Sequence, residues 1–293
     1  MPFRLGFAPI TWNNEGLDLG PLIPYTTVLE EVAATGYAGT ELGKGFPDDA
    51  GVLRTAIEAR GVAIPSGWCG LQLLGSHTRE TDLAYTRQRC ALLAGVGARF
   101  VNLAHAGTPE RSARAGRAAE PACPRLSASA WDELAGRVLQ AAEIACDAGL
   151  QVAFHPHVGT WVETSAELAE LLRRTPASLV KLCLDVGHAL YGGIDPLAVI
   201  REHPERVVYV HLKDVDSDVL AGLLRDRADF NDGIRRRVFT EVGRGRLDVP
   251  RLLTALEAAG YDGWLMVEQD SSWLAPAESA RTSRAYLASL GIH

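Results

Sequence analysis

The 293-residue chain lacks any long hydrophobic run. None of its apolar stretches approaches the roughly 18 or more residues that a membrane span requires. The opening segment, MPFRLGFAPITW, also lacks the pattern of a secretory signal peptide. The five cysteines are widely spaced and form no CxxC pair, so a disulfide framework is not expected. These absences predict a cytoplasmic protein without a membrane partner.

An excess of positive charge is also missing. The formal net charge is -7 and the pI is about 5.6, which argues against a surface that grips phosphate backbones. The candidate basic patch is the group of arginines in residues 111–126, where Ala, Gly and Pro surround them and no aromatic residue is interleaved. This composition predicts a mobile loop and no nucleic-acid partner.

Eight short apolar runs recur along the chain, and amphipathic helical stretches follow them. The runs are residues 3–10, 37–42, 62–68, 99–104, 150–155, 180–185, 206–212 and 264–268. A strand followed by a helix, repeated along the chain with strands that are apolar on both faces, predicts an α/β fold. The architecture that fits this repeat is a closed (β/α)8 TIM barrel. We interpret residues 1–293 as a single domain of this kind. A doubly wound open sheet is the alternative, but APITWNNEG after the first strand is not a glycine-rich phosphate loop.

Two longer segments follow predicted strands without a clear helical pattern. Residues 105–127 come after the fourth strand and are expected on the catalytic face of a barrel. Residues 215–239 come after the seventh strand and are rich in Asp and Arg. The second segment is a candidate lid, or a candidate interface if the chain forms a homo-oligomer.

Polar side chains stand where the apolar runs end. These positions are Glu41, Trp68, His105, His155, Asp185, His211 and Glu268. Because groups at the carboxyl ends of barrel strands converge, we expect them to share one site. Asp185, His211 and Glu268 end three successive strands, and a mixed carboxylate and imidazole set suits Mn²⁺, Co²⁺, Fe²⁺ or Zn²⁺. The alternative is that each residue pairs separately with a nearby Arg or Lys.

Neighbouring polar residues extend this set. His155 and His157 flank Pro156, which fixes the local backbone geometry. One of the two histidines can bind metal while the other contacts substrate. The alternative is a pair of hydrogen-bonded structural histidines. His188 is a candidate ligand, substrate contact or partner that orients a carboxylate. Lys213 alternates with His211 and either stabilises an oxyanion at the site or forms an ion pair at the rim.

The first two strands supply candidates for substrate binding. Glu41 is a candidate acid, base or hydroxyl-binding group, with an internal salt bridge as the alternative, and Lys44 lies in the loop beyond it. Trp12 and Asn13 follow the first strand, and Trp68 ends the third. An aromatic face covers C–H surface while an amide binds hydroxyls, so these residues predict a sugar-binding wall. A single Trp is more often a packing residue.

Several phrases of the chain resemble the xylose isomerase-like barrel superfamily. They are GYAGTELG, LDVGH, VHLKD and the block FTEVGRGRLDVPRLLTALEAAGYDGWLMVEQD. This superfamily holds sugar isomerases, epimerases, dehydratases and endonuclease IV. The phrases APITWNNEG, TELGKGFP and HPHVGTWVET, together with that block, are most similar to the inosose dehydratases. The resemblance covers nearly the whole chain.

The resemblance implies one divalent ion held by four residues from the last four barrel strands. Carried onto this sequence, the ligands are His155, Asp185, His211 and Glu268. His155 stands where the superfamily usually has Glu, and inosose dehydratases also tend to have His there. Mn²⁺ or Co²⁺ is the expected ion, with Zn²⁺, Fe²⁺ and Mg²⁺ as alternatives.

The resemblance also implies the chemistry. Epimerases of this superfamily use two ligand-position glutamates as bases, so loss of one favours dehydration, which needs one base, one acid and a stabilised enolate. The expected substrate is a cyclic polyol ketone such as 2-keto-myo-inositol (inosose). His155, His157 and Glu268 are candidate bases; Lys213, Glu41 or a histidine is the candidate acid.

Three other functions compete with this hypothesis. A sugar isomerase or epimerase would use the same scaffold and give a product of unchanged composition. A nucleic-acid enzyme like endonuclease IV would need three metal ions and a basic groove. A binding module would have lost its affinity for metal.

Overall fold

The computed structural model describes residues 3–293, and a sheet of seven parallel strands lies at its centre. The strands of the chain are β1 (Arg4–Phe7), β2 (Trp68–Leu71), β3 (Phe100–His105), β4 (Gln151–Phe154), β5 (Val180–Asp185), β6 (Val207–Leu212), β7 (Asp214–Val215), β8 (Phe239–Thr240) and β9 (Trp264–Val267). The order in the large sheet is β1-β9-β6-β5-β4-β3-β2. Short β7 and β8 form a separate antiparallel pair.

Single parallel bridges close the gap between β1 and β2. Gly39 pairs with Gly6 on one side and with Ala63 on the other, and Leu42 pairs with Gly67. The predicted strand at 37–42 is therefore an extended segment with isolated bridges rather than a continuous ladder. A Cβ at Gly39 would lie 2.6 Å from the Trp264 ring, so glycine permits the close approach. The closed ring of strands is the barrel that the sequence predicts.

Helices follow the strands and cover the outside of the barrel. They are α1 (Tyr25–Ala34), α2 (Ala50–Glu58), α3 (Arg79–Gly95), α4 (Pro109–Ser112), α5 (Ala128–Asp147), α6 (Ser165–Arg174), α7 (Val186–Gly192), α8 (Pro196–Glu202), α9 (Ser217–Asp226), α10 (Phe230–Arg235), α11 (Val249–Ala258) and α12 (Pro276–Ser289). Local sequence fixes their starts: Thr164 and Glu167 form a capping box at α6, and Ser127 caps α5. In the described part of the chain, no helix is long and apolar enough to cross a membrane.

Side chains alternate between the two faces of each strand, so those that point into the barrel form layers. An inner apolar cluster contains Phe100, Ala153, Cys183, Tyr209 and Met266, each from a different strand. One step of two residues beyond them, in the same strand order, come Asn102, His155, Asp185, His211 and Glu268. Since side chains two apart share a face, the polar set sits directly above the apolar layer. The fold thus places the candidate site at the carboxyl end of the barrel.

The segment 215–239 is folded onto this end of the barrel. It contains α9 and α10 between the strands β7 and β8, and it packs in a second apolar cluster with Tyr191 and Val158. At the start of this segment, the Asp214 carboxylate accepts hydrogen bonds from the backbone N–H groups of residues 243, 245 and 247. From α10, Phe230 reaches the mouth, where its ring centroid lies 5.0 Å from that of His157.

The arginine-rich loop is anchored rather than solvated. Arg111 is fully buried, binds both carboxylate oxygens of Glu167 and donates to the Thr160 carbonyl at 2.7 Å. Arg117 is also buried and donates to the carbonyls of Arg227 and Ala228. The prediction of a mobile loop is wrong for these two arginines, because each satisfies backbone carbonyls that would otherwise be buried without donors.

Candidate active site

Four donor atoms converge at the carboxyl ends of the barrel strands. The Nδ1 atom of His211 lies 2.9 Å from Oε2 of Glu268 and 3.5 Å from Oδ2 of Asp185. The Nε2 atom of His155 lies 3.3 Å from Oδ2 of Asp185 and 3.3 Å from Nδ1 of His211. All four side chains are buried. The structure therefore brings together the four residues that the resemblance assigns to a metal ion.

The two carboxylate oxygens of Asp185 have different surroundings. Its Oδ1 accepts the backbone N–H of His188 at 2.8 Å and so caps the start of α7. Its Oδ2 is buried without a hydrogen-bond partner and is aimed at His155 and His211. Burying a carboxylate oxygen without a hydrogen bond is costly unless a cation lies beside it. Nζ of Lys213 lies 3.3 Å from Oδ2, and the imidazole nitrogens aimed at the same oxygen make it a candidate ligand of a metal ion as well.

The chemistry of the donor set fits the same conclusion. Two imidazole nitrogens and two carboxylates match the preferences of Mn²⁺, Co²⁺, Fe²⁺ and Zn²⁺. Three groups of residues in this region place their ligand atoms within 4.8 Å of one another: His155, Cys183 and His211; Glu41, His211 and Glu268; and Asp185, His188 and Glu268. His155, Asp185, His211 and Glu268 each belong to at least one of these groups, so the four residues fit a divalent ion.

Lys213 lies inside the carboxylate cluster. Its Nζ is 2.6 Å from Glu268, 2.9 Å from Asp270 and 3.3 Å from Asp185, and it donates to Nε2 of His188 at 3.1 Å. Although burial opposes its charge, the three carboxylates raise the pKa of Lys213 well above the ordinary range. Burial likewise opposes ionisation of Asp185, yet the Lys213 charge holds the pKa of that carboxyl well below its usual range.

This position corrects the predicted role of Lys213. The sequence suggested an acid or an oxyanion-stabilising group at the substrate, or an ion pair at the rim. The ammonium group is instead fully buried and does not line the cavity. A lysine that is enclosed by carboxylates keeps its proton, so Lys213 orients and neutralises them.

His157 and His188 stack beside the ligand cluster. Their ring centroids are 3.7 Å apart, and Trp68 packs edge-on against His157 at 5.8 Å. Nδ1 of His157 lies 2.6 Å from the Val158 carbonyl, to which it donates, and this leaves Nε2 as an acceptor. Burial lowers the pKa of His157 to about 3, so the ring is neutral at physiological pH.

A cavity of about 680 Å³ opens above these residues. Its polar floor and walls include Glu41, Trp68, Asn102, His105, His155, His157, His211, Glu268 and Asp270. Asn14, Glu15, Asp229 and Phe230 line the mouth. The volume lies in the range of small-molecule sites, and the described residues that line it include no lysine or arginine.

The model of the xylose isomerase-like TIM barrel family matches residues 29–290. The chain belongs to this family. An inosose dehydratase of Geobacillus kaustophilus (strain HTA426) is 34% identical over 100% of this chain and 96% of its own length. An inosose dehydratase of Clostridium beijerinckii is 32% identical over 97% of this chain and 96% of its own length. The resemblance to the xylose isomerase-like barrels and the narrower resemblance to the inosose dehydratases, both inferred from the sequence, are confirmed.

Solved structures of the xylose isomerase-like barrel share the fold at lower identity. An L-ribulose 3-epimerase has a TM-score of 0.72 at 18% identity and covers 99% of this chain and 94% of its own. A probable 3-DHS dehydratase from Bacillus anthracis has a TM-score of 0.72 at 14% identity, over 98% of this chain and 99% of its own. At these identities the likeness extends to the fold alone.

Trp12 and Asn13 of the first loop are not among the described residues that line the cavity. Trp12 is buried, packs edge-on against Phe7 and donates its indole N–H to Glu31 at 2.6 Å. The Asn13 amide bonds to the backbone of Ile23. The prediction of substrate contacts is wrong for both residues, because their indole and amide groups are bonded to Glu31 and Ile23 and do not line the cavity.

Two other predicted substrate contacts also lie away from the cavity. Lys44 donates to the Asn14 carbonyl at 3.1 Å, so it fixes the first loop. His188 is buried beneath His157 and accepts a hydrogen bond from Lys213. Of the alternatives for His188, the structure favours a partner that orients the carboxylate of Asp185. Of the predicted substrate contacts, Trp68 does line the cavity.

Sequence reasoning missed two residues of this xylose isomerase-like site. Asn102 lies on β3 and donates to Oε1 of Glu41 at 2.7 Å. Asp270 follows Glu268 by two residues, lines the cavity and binds Lys213 through one oxygen. Alternation could have found both, since Asn102 follows Phe100 of the inner cluster by two residues and Asp270 continues the line of Glu268.

Proposed function

We propose that this chain removes water from a cyclic polyol ketone such as inosose, with one divalent ion held by His155, Asp185, His211 and Glu268. The observation that carries the proposal is the convergence of these four donor groups at a cavity of about 680 Å³, which His155, His211 and Glu268 line. Relatives named inosose dehydratase, aligned over the whole chain, support the substrate class.

The ion and the cavity have separate tasks. When bound, a divalent ion supplies Lewis-acid polarisation of the ketone, which acidifies the neighbouring C–H. We favour Mn²⁺ or Co²⁺ because the donor set mixes nitrogen and carboxylate oxygen, and we keep Zn²⁺, Fe²⁺ and Mg²⁺ as alternatives. Trp68 offers an apolar face to the substrate ring, while the surrounding polar groups bind its hydroxyls.

His157 is the base that the geometry favours. The other candidate bases, His155 and Glu268, both belong to the proposed ligand set. His157 lines the cavity, and its Nδ1–H is donated to the Val158 carbonyl, so Nε2 keeps a lone pair. This nitrogen takes the proton from the carbon next to the ketone.

Asp270 is the acid that the geometry favours. One of its oxygens binds Lys213, and its carboxyl group lines the cavity. The predicted acids are less suited: Lys213 is enclosed, and Oε1 of Glu41 already accepts three hydrogen bonds. After the C–H proton is removed, the electron pair forms a C=C bond and expels the β-hydroxyl. That group leaves as water with a proton from Asp270, and the enol product tautomerises to a diketone.

The test is incubation of inosose with protein and Mn²⁺ or Co²⁺, beside a panel of ketoses. Mass spectrometry is expected to detect a product lighter than inosose by one water, with a diketone absorption. Protein treated with a chelator should give no product, and added metal should restore it. A product of unchanged elemental composition would instead assign the chain to the epimerases or isomerases.

The remaining expectations stay predictions of the sequence. They are the single-domain organisation, the cytoplasmic setting, a role in inositol breakdown and the homo-oligomer. The lack of lysine and arginine among the described cavity-lining residues fits an uncharged polyol better than a nucleic acid.

A further inference from the structure

The two ring nitrogens of His211 face opposite surroundings. Nδ1 faces the ligand cluster, 2.9 Å from Glu268 and 3.5 Å from Asp185. Nε2 faces away from Asp185, toward Oε1 of Glu41 at 3.0 Å and Nδ2 of Asn102 at 3.4 Å. Which nitrogen carries the proton in the neutral ring decides which one can bind a metal ion.

The positions of the other proposed ligands decide between the two nitrogens. Nδ1 lies within 3.5 Å of atoms of His155, Asp185 and Glu268, so an ion shared by these residues would take the lone pair of Nδ1. The proton of the neutral ring then belongs on Nε2, which donates it to Oε1 of Glu41 at 3.0 Å. The Asn102 amide lies farther from Nε2, at 3.4 Å, and donates to the same Glu41 oxygen at 2.7 Å. With the proton on Nε2, Nδ1 of the neutral ring presents a lone pair to the ligand cluster.

Glu41 is itself held rigidly. Its Oε1 also accepts the Ser66 hydroxyl at 2.6 Å, and the side chain is only 6% exposed. The donors Ser66, Asn102 and His211 come from three different parts of the barrel wall. Three partners on one oxygen hold the Glu41 carboxylate in place against Nε2 of His211.

We infer that Glu41 is a positioning residue that fixes the tautomer and ring orientation of His211 for metal binding. The inference rests on the metal site of the proposed function and adds a role for Glu41 other than acid, base or hydroxyl-binding group. A carboxylate that accepts the second N–H of a ligating histidine typically changes metal affinity by about 10–100-fold when it is removed. With Nδ1 of His211 assigned to the ion, Glu41 holds the other ring nitrogen, Nε2.

The test measures Mn²⁺ affinity of metal-free protein by calorimetry. Glu41→Leu removes the acceptor and is expected to weaken binding by about 10–100-fold. Glu41→Gln keeps an oxygen acceptor and should retain most of the affinity. Glu58→Leu makes the same change at an exposed position of α2, so its affinity should match that of the unmodified chain. Equal Mn²⁺ affinity of Glu41→Leu and the unmodified chain would overturn the inference.

A second measurement needs no variant. In Zn²⁺-loaded protein with ¹⁵N-labelled histidine, nuclear magnetic resonance should show the His211 proton on Nε2 and the metal on Nδ1. The reverse assignment would refute the role of Glu41 even if the variants fold poorly. Both readouts are independent of turnover, so a chain that binds metal but does not dehydrate inosose would refute the proposed reaction and leave this inference standing.

Discussion

Glu268→Gln is expected to abolish turnover while the protein stays folded. Glu268 contributes Oε2 beside Nδ1 of His211 at 2.9 Å and Oε1 beside Nζ of Lys213 at 2.6 Å. An amide supplies no negative charge to either contact, so the proposed ion loses a ligand and Lys213 loses a counter-charge. We expect kcat/KM for inosose to fall by at least about 10³-fold, as when a preorganised charge is removed from a reacting centre.

The control for this variant is Glu278→Gln, which makes the same chemical change at an exposed position. Its kcat/KM should equal that of the unmodified chain. Metal content is measured on both variants, because Glu268→Gln should also bind less Mn²⁺. A fully active Glu268→Gln protein would refute the proposed site.

Arg111→Met is expected to lower the free energy of unfolding by about 3–5 kcal/mol, the usual cost of breaking a buried ion pair. Arg111 is fully buried, and its fork binds Glu167 at 2.8 Å and 3.0 Å. It also donates to the carbonyls of Thr160 and Pro124 and lies 5.0 Å from the Trp161 ring centroid. Methionine fills the space but leaves these acceptors without donors.

Urea unfolding at neutral pH measures this effect. Arg111→Lys should give an intermediate loss, because an ammonium group keeps the charge but cannot reproduce the planar fork. Arg125→Met is the control, since this exposed arginine of the same loop makes only one long contact, at 3.5 Å to the Ala119 carbonyl. If Arg111→Met and Arg125→Met both unfold within about 0.5 kcal/mol of the unmodified chain, the loop is not anchored as the structure indicates.

The metal cluster could be anticipated because strand ends in a parallel barrel obey a simple rule. Asp185, His211 and Glu268 each close an apolar run, and the carboxyl ends of successive strands meet at one mouth. Alternation then sends residues two apart to the same side, which also explains the position of His157 beside His155. These conclusions depend on strand geometry, which a local pattern encodes.

The wrong predictions concern residues whose position depends on loops. Trp12 and Asn13 follow the first strand, but the path of the loop beyond it turns their side chains toward Glu31 and Ile23. The small residues around Arg111 predict a mobile loop, whereas its partner Glu167 lies far along the chain and holds it in place. No local pattern reveals a partner at that separation, so such contacts need the folded structure.

The most direct measurement is a metal back-titration followed by product analysis. Metal-free protein receives Mn²⁺ in increasing molar ratio with inosose in excess, and diketone formation is recorded at each step. The account predicts no turnover without metal, a rise that ends at one ion per chain, and loss of one water from every inosose consumed. Turnover by the metal-free chain, a plateau at three ions, or consumption of inosose without loss of water would contradict it.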